Sequence, residues 1–277
     1  MRLILFILLI GLGCGILNAQ EHQGKYQKNL KYKGPTTGDE IIYTLYLPPN
    51  YSKDKGPYPL IIFLHGAGGG NSSAEVLKSY ERARMAGKIQ DSIVVFPERY
   101  GGTVWRDGAK NKNPETNILK ELLPHLEKQY ALTKDRSKRT VMGFSMGAAG
   151  SLYWGSKHLD IFSVVVALDG GGGTSISDSS ARNYVPDFGK KAEEIRKSLK
   201  IRLVQGGMRT KAFNDSLDKL KIPYEQDEVP KDVSYFKEGS PCLNRKNPSK
   251  LFLHNPACMT EDKWGQATWS FIGKNIK

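Results

Sequence analysis

The segment TVMGFSMGAAGS, residues 140–151, sets one serine between two glycines, directly after apolar residues and directly before small ones. Its centre, Gly143-Phe144-Ser145-Met146-Gly147, fits the G-x-S-x-G pattern of a sharp strand-to-helix turn that lifts a serine hydroxyl above the end of a sheet. Each position has a steric reason. The serine must take a strained backbone conformation, and side chains on either flank would collide with the crossing chain, so glycine gives clearance. Ala148, Ala149 and Gly150 let the following helix pack closely, and its N-terminus offers N–H groups to developing negative charge. A glycine-rich turn with an idle serine is the competing reading. The strand before and the helix after favour Ser145 as a nucleophile.

Working outward, short apolar runs alternate with helical stretches. Residues 41–47, 60–64 (LIIFL), 92–96 (SIVVF), 140–144, 162–168 (FSVVVAL) and 201–204 (IRLV) are rich in β-branched residues and do not alternate with polar ones. Such runs suit strands buried on both faces, as in a parallel sheet. Between them, Asn113-Pro114 opens a helix carrying Ile118, Leu119, Leu122, Leu123, Leu126 and Tyr130 at helical spacing. Residues 148–157 and 190–199 read as two more helices. The alternation predicts an α/β fold, a doubly wound and mostly parallel sheet in a single domain. In such a sheet the ligand site lies at the carboxyl ends of the strands.

The motifs fall at those ends. His65-Gly66-Ala67-Gly68-Gly69-Gly70 follows the LIIFL run, and such a loop can aim backbone N–H groups at an oxyanion. The N–H of Ala67 or Gly68 is expected to join that of Met146 in that role. No Gly-Lys-Ser/Thr follows, which argues against a nucleotide phosphate loop. The stretch ERYGGTVWRDG, residues 98–108, follows SIVVF, so Tyr100, Trp105 and Arg106 are candidates for binding a sugar ring or an aromatic acyl group; ordinary loop packing is the alternative.

LHGAGGG, a strand closed by Pro97, Trp105, the helix ELLPHLEKQYAL, GFSMGAAGS and KHLDIFSVVVALDGG occur in this order over residues 41–173. In these features the chain resembles the esterase D and feruloyl/acetylxylan esterase group (carbohydrate esterase 1-like) of the α/β-hydrolases. The resemblance implies a serine esterase acting on acyl groups carried by sugars or small alcohols, with no metal and no organic cofactor.

A serine nucleophile needs a general base. In this fold the base comes last in chain order, and of the five histidines only His254, in LFLHNPACM, qualifies. The acid is less plain. The group usually carries an aspartate as Gly-x-x-Asp after the strand that here is IRLV, yet residues 205–211 hold no carboxylate. Asp169, at the end of FSVVVAL one strand earlier, is the leading candidate; Asp227, Glu228 or no acid at all are the others. For Asp169 the structural alternative is a turn residue capping backbone N–H groups. Residues 231–253 read as an insertion before His254, a candidate lid or pocket wall.

Met1-Arg2, an apolar run and Ala19 read as a secretory signal peptide over residues 1–19, leaving residues 20–277 as the mature domain, periplasmic or secreted. No later run is long enough for a membrane span. Loss of Cys14 would leave Cys242 and Cys258, whose pairing the sequence leaves open. The formal net charge of +13 is scattered, without the aromatic-interleaved basic stripe of a nucleic-acid groove. The expected partner is a small-molecule or glycan ester, with no nucleic acid. The missing Gly-x-x-Asp keeps a second class open: a carbohydrate-binding protein on a catalytically weak scaffold. Acyl transfer or peptide hydrolysis on the same machinery is a third reading.

Overall fold

All six apolar runs become strands of one sheet in the computed structural model, which describes residues 23–68, 73–170, 187–208 and 210–276. The strands are β1 (Lys25–Lys33), β2 (Glu40–Leu47), β3 (Leu60–Leu64), β4 (Ile93–Pro97), β5 (Arg139–Phe144), β6 (Val164–Leu168), β7 (Lys200–Gln205) and β8 (Glu225–Glu228). Their order is β1-β2-β4-β3-β5-β6-β7-β8. The first two pairings are antiparallel, and every pairing from β4 through β8 is parallel. The expected signal peptide, residues 1–19, lies outside the described residues, as do Gly69, Gly70 and glycines 171–173.

The continuous apolar runs are explained by two cores, one on each face of the sheet. Leu60, Ile62 and Leu64 of β3 enter one core, while Ile61 and Phe63 enter the other. The helices divide accordingly: α1 (Ser73–Met85), a π-wound segment Thr116–Leu122 continuing as α2 (Leu123–Gln129), α3 (Met146–Lys157), α4 (Asp187–Lys190), α5 (Ala192–Ser198), α6 (Lys211–Lys219), α7 (Pro256–Thr260) and α8 (Asp262–Asn275). Leu119 and Leu122, Leu152 and Trp154 of α3, Ile195 of α5 and Phe213 of α6 pack in the first core. Val76 and Tyr80 of α1, Met259 of α7, and Trp264 and Trp269 of α8 pack in the second. Helices on both faces of one parallel sheet are the doubly wound arrangement.

β1 and β8 occupy the two edges. KYQKNLKYK and EQDE carry little apolar surface because an edge strand faces solvent, and charge there discourages pairing with another chain.

Residues 231–253 contain a small antiparallel hairpin, β9 (Leu243–Asn244) with β10 (Asn247–Leu251). A disulfide joins Cys242 to Cys258, with Cα atoms 4.7 Å apart. It closes a loop that ends just beyond His254 and ties the hairpin to α7. Closing a loop of this length removes chain entropy from the unfolded state, worth about 3 kcal/mol. A Cys242→Ala/Cys258→Ala variant should therefore lose about 3 kcal/mol in urea unfolding, and an unfolding free energy equal to wild type would show that the crosslink adds nothing.

Candidate active site

Three strand ends set the geometry. β5 stops at Phe144, and Ser145 turns the chain at φ 56°, ψ −115°, with α3 starting at Met146. Such a left-handed conformation at a residue with a Cβ costs on the order of 1–3 kcal/mol and persists only where the surroundings enforce it. Here the Ser145 N–H donates to the Leu168 carbonyl at the end of β6 (2.9 Å), and the Asp169 N–H donates to the Val204 carbonyl of β7 (2.7 Å). The sheet ladder thus continues into the turns and sets residues 145 and 169 side by side. Glycine is required at two positions beside the serine. A Cβ at Gly147 would lie 1.9 Å from the Leu64 oxygen, and one at Gly143 would lie 2.2 Å from the Gly147 oxygen.

His254 arrives from the disulfide-closed segment. Its Nε2 is 3.0 Å from Ser145 Oγ, and its Nδ1 is 2.6 Å from Asp169 Oδ2. The ring lies tilted against that of Phe144 (centroids 4.7 Å apart, planes 37° apart). The next residue, Asn255, caps α7 by accepting from the Ala257 N–H (3.0 Å) and donates through Nδ2 to the Pro241 carbonyl (2.8 Å). The backbone directly after the imidazole is thereby held by two bonds. The structure brings Ser145, His254 and Asp169 into one hydrogen-bonded chain.

The acid position resolves a conflict left by the sequence. The loop after β7, where the resemblance leads one to seek an aspartate, contributes peptide groups instead. Asp169 accepts from the N–H groups of Gly206 (2.8 Å), Gly207 (3.0 Å) and Met208 (2.9 Å), and from His254. The side chain is wholly buried. Burial pushes its pKa upward, but the His254 bond and the three backbone N–H groups outweigh it and hold the carboxyl below the usual aspartate range. The two alternative acids lie elsewhere. Asp227 pairs with Arg202, which also bonds Thr268 of α8, and Glu228 is exposed on the edge strand β8.

Of the other histidines, His65 is buried beneath the β3–α1 loop. Its Nδ1 lies 2.7 Å from the Gly66 carbonyl, and its Nε2 accepts from the Tyr100 N–H (3.3 Å). One donating and one accepting nitrogen define the neutral ring, and burial lowers its pKa, which keeps it neutral. It ties this loop to the segment carrying Tyr100. His158 pairs with Glu115 (2.7 Å) and His125 stacks on Tyr32 (centroids 4.0 Å apart), both away from Ser145.

For the oxyanion, Met146 is the first residue of α3, so its N–H lies outside the helix's own ladder. The β3–α1 loop runs against the turn: a Cβ on Gly66 would sit 3.4 Å from Ser145 Cβ. Ala67 and Gly68 follow directly and are exposed.

The residues expected to bind substrate fall differently. Val104 and Trp105 both have positive φ (50° and 57°), and this tight turn directs the indole inward. Trp105 is fully buried; its Nε1 donates to the His65 carbonyl (3.1 Å) and its own carbonyl accepts from Trp154 Nε1 (2.8 Å). Tyr100 is also buried, its hydroxyl 3.3 Å from Asn117 Nδ2. Arg106 lies over the Tyr153 ring at 4.3 Å. Trp105 and Tyr100 therefore brace the loops around the nucleophile; Tyr100 also lines a cavity of about 240 Å³ together with Asp39, Glu98 and Asn117. The competing reading of loop packing fits this geometry. Asn255 was not singled out from sequence, although Asn-Pro directly after a histidine is a helix-start signal.

No helix among the described residues is long and apolar enough to cross a membrane. Among the same residues no group of three or more His, Cys, Asp or Glu side chains could hold a metal ion.

A doubly wound sheet, a serine on the turn between β5 and α3, and a histidine supplied late in the chain define an α/β-hydrolase. The family described as "Putative esterase" matches residues 34–250, and the chain belongs to that esterase family. The match includes Ser145 and Asp169 and ends before His254, so the histidine stands on geometry. Among curated proteins, the chain is similar to "Uncharacterized protein YbbA" of Bacillus subtilis (strain 168): 21% identical over 213 residues, 68% of this chain and 84% of that protein. Among solved structures, a CE1 ferulic acid esterase, AmCE1/Fae1A of Anaeromyces mucronatus, aligns with TM-score 0.64 and 20% identity over 92% of this chain and 90% of its own. FphF, a fluorophosphonate-binding serine hydrolase of Staphylococcus aureus, aligns with TM-score 0.60 and 19% identity over 75% and 91%.

Because the folded pKa of Asp169 is depressed, the stability it contributes is complete above the unfolded value of about 4 and is lost as pH falls through the folded value. Wild type should thus exceed Asp169→Asn in urea unfolding at pH 6.5, and the margin should shrink at pH 3. A margin that does not change over that range contradicts the cradle.

Proposed function

We propose that this chain is an exported serine esterase that hydrolyses acyl esters of carbohydrate or phenolic compounds through Ser145, His254 and Asp169. One observation carries the reading: the continuous contact from Ser145 Oγ through both nitrogens of His254 to Asp169. In it, His254 Nε2 takes the hydroxyl proton as Ser145 Oγ bonds to the ester carbonyl carbon. The carbonyl oxygen becomes an oxyanion, received by the N–H of Met146 with that of Ala67 or Gly68. Collapse breaks the carbon–oxygen bond to the alcohol, which leaves with the proton from His254. Water then repeats the sequence on the acyl-serine, releasing the acid and restoring the hydroxyl. Asp169 stays ionised throughout, holding the imidazole in the Nδ1–H tautomer and stabilising the imidazolium.

The substrate class rests on the motif resemblance and on the similarity to esterases named for ferulic acid. Export rests on the character of residues 1–19 and is supported by the disulfide, a bond typical of oxidising compartments.

Ser145→Ala should lose 4-nitrophenyl acetate hydrolysis by a factor on the order of 10⁶ with an unchanged melting profile, and Asp169→Asn by about 10⁴. Rapid labelling of wild type by a fluorophosphonate, absent in Ser145→Ala, accompanies this. A protein that resists the probe and binds glycan tightly is instead a carbohydrate-binding protein on the same scaffold.

A further inference from the structure

The backbone of Tyr100 touches the supports of both halves of the oxyanion hole proposed above. Its N–H donates to His65 Nε2 (3.3 Å), and His65 Nδ1 lies 2.7 Å from the Gly66 carbonyl, in the loop that carries Ala67 and Gly68. Its carbonyl accepts from Thr103 Oγ1 (2.7 Å) and from the Thr103 N–H (3.2 Å). That closes a turn which presents the Val104 N–H to Met146 Sδ (3.3 Å). One buried tyrosine therefore stands between the β3–α1 loop and the first residue of α3. What fixes the tyrosine lies at the far end of its ring. Asn117 Nδ2 donates to the Tyr100 hydroxyl (3.3 Å) and to Asp39 Oδ2 (2.9 Å). The two bonds use both hydrogens of the amide.

Asn117 is itself held firmly. It is 2% exposed. Its N–H donates to the Asn113 carbonyl (2.8 Å) at the start of the π-wound segment. Just before it, the Asp107 carboxylate accepts from the N–H groups of Glu115 (2.9 Å) and Thr116 (3.2 Å). Asp39, directly before β2, accepts only, so its carboxylate turns the NH₂ end of the amide toward itself and toward Tyr100. π winding is rare and is frequent at functional positions.

We infer that Asn117 is a positioning residue of the oxyanion hole: it anchors the Tyr100 ring to Asp39, and Tyr100 sets both the loop bearing Ala67 and Gly68 and the turn against Met146. The inference rests on the Ser145 esterase reading and on those N–H donors. Asn117 acts through Tyr100. The oxyanion exists only after Ser145 Oγ has bonded to the carbonyl carbon. Misaligned donors therefore raise the barrier without weakening the binding of the ester. An amide that merely fills space would change stability and leave turnover alone.

The test follows 4-nitrophenyl acetate hydrolysis by wild type, Asn117→Ala, Tyr100→Phe and the double variant, with melting curves as the fold control. Small displacements of positioned groups are costly, so kcat should fall about tenfold in Asn117→Ala and about fivefold in Tyr100→Phe, with KM within about twofold of wild type. The double variant should be no slower than Asn117→Ala, because both changes break the same link. Phenylboronic acid supplies the second readout. It forms a tetrahedral adduct on Ser145 Oγ with an oxygen at the oxyanion position, so it should inhibit each variant more weakly by the factor lost in kcat. A kcat within about twofold of wild type in both single variants overturns the inference. So does a loss in kcat with boronate inhibition unchanged, or a double variant whose loss is the product of the two single losses. If Asn117→Ala does not fold, Tyr100→Phe decides by the same kcat and boronate criteria. A wild type that neither cleaves the ester nor binds the boronate is a different result, defeating the esterase reading of Ser145 and the positioning role with it.

Discussion

A buried carboxylate with every one of its bonds accounted for organises this site. Asp169 has no contact with solvent, and an ionised carboxylate taken out of water is expensive unless its lone pairs are met by donors. Three consecutive peptide N–H groups and one imidazole meet them. The negative charge kept in place this way fixes which nitrogen of His254 carries hydrogen, and so which nitrogen faces Ser145. Without the peptide groups, burial alone would favour the protonated acid, and the histidine would lose its orienting partner.

The same region stores strain at the serine and distributes the means of holding it. The positive φ of Ser145 is enforced by its hydrogen bond to β6 and by the close passage of the Leu64 and Gly147 carbonyls, which leave no room for a side chain at 143 or 147. Trp105 and Trp154 support this turn from the first core, at the centre of which their rings meet edge to face (centroids 5.8 Å apart). Residues with no chemistry of their own therefore determine where the hydroxyl points. The histidine is positioned separately, by a crosslinked segment and the Asn255 clasp, so the site joins a sheet-borne half to a loop-borne half.

Much of this was legible in the residues. The buried strands announced themselves because both faces demand apolar side chains, and the nucleophile because the turn demands glycine. β1 and β8 were harder to read: at an edge, pairing comes from peptide groups, and polar side chains such as those of KYQKNLKYK leave little pattern. α1 was not identified, although Val76, Leu77, Tyr80 and Ala83 recur at helical spacing and are buried. The acid stayed ambiguous because its environment consists of backbone N–H groups, which no side-chain motif records. Trp105 suggested a binding face by its chemistry, whereas two successive left-handed residues decided that it points inward. The pairing of Cys242 with Cys258 depended on a separation in space that spacing along the chain does not report.

The loop after β7 works through amides, not through side chains. Met208 is half exposed, and its thioether takes no part in holding the carboxylate. At position 208 drift among residue types leaves that cradle standing, whereas a Cβ at 206 would lie 2.6 Å from Met259 Cε and 3.2 Å from the Leu253 carbonyl oxygen, and one at 207 would press on His254 Cβ from 3.3 Å. One residue is barred from all three: proline has no N–H to give. The carboxylate is thus held by a stretch whose first two positions are limited by the space around them and whose third is limited only by the need for an N–H.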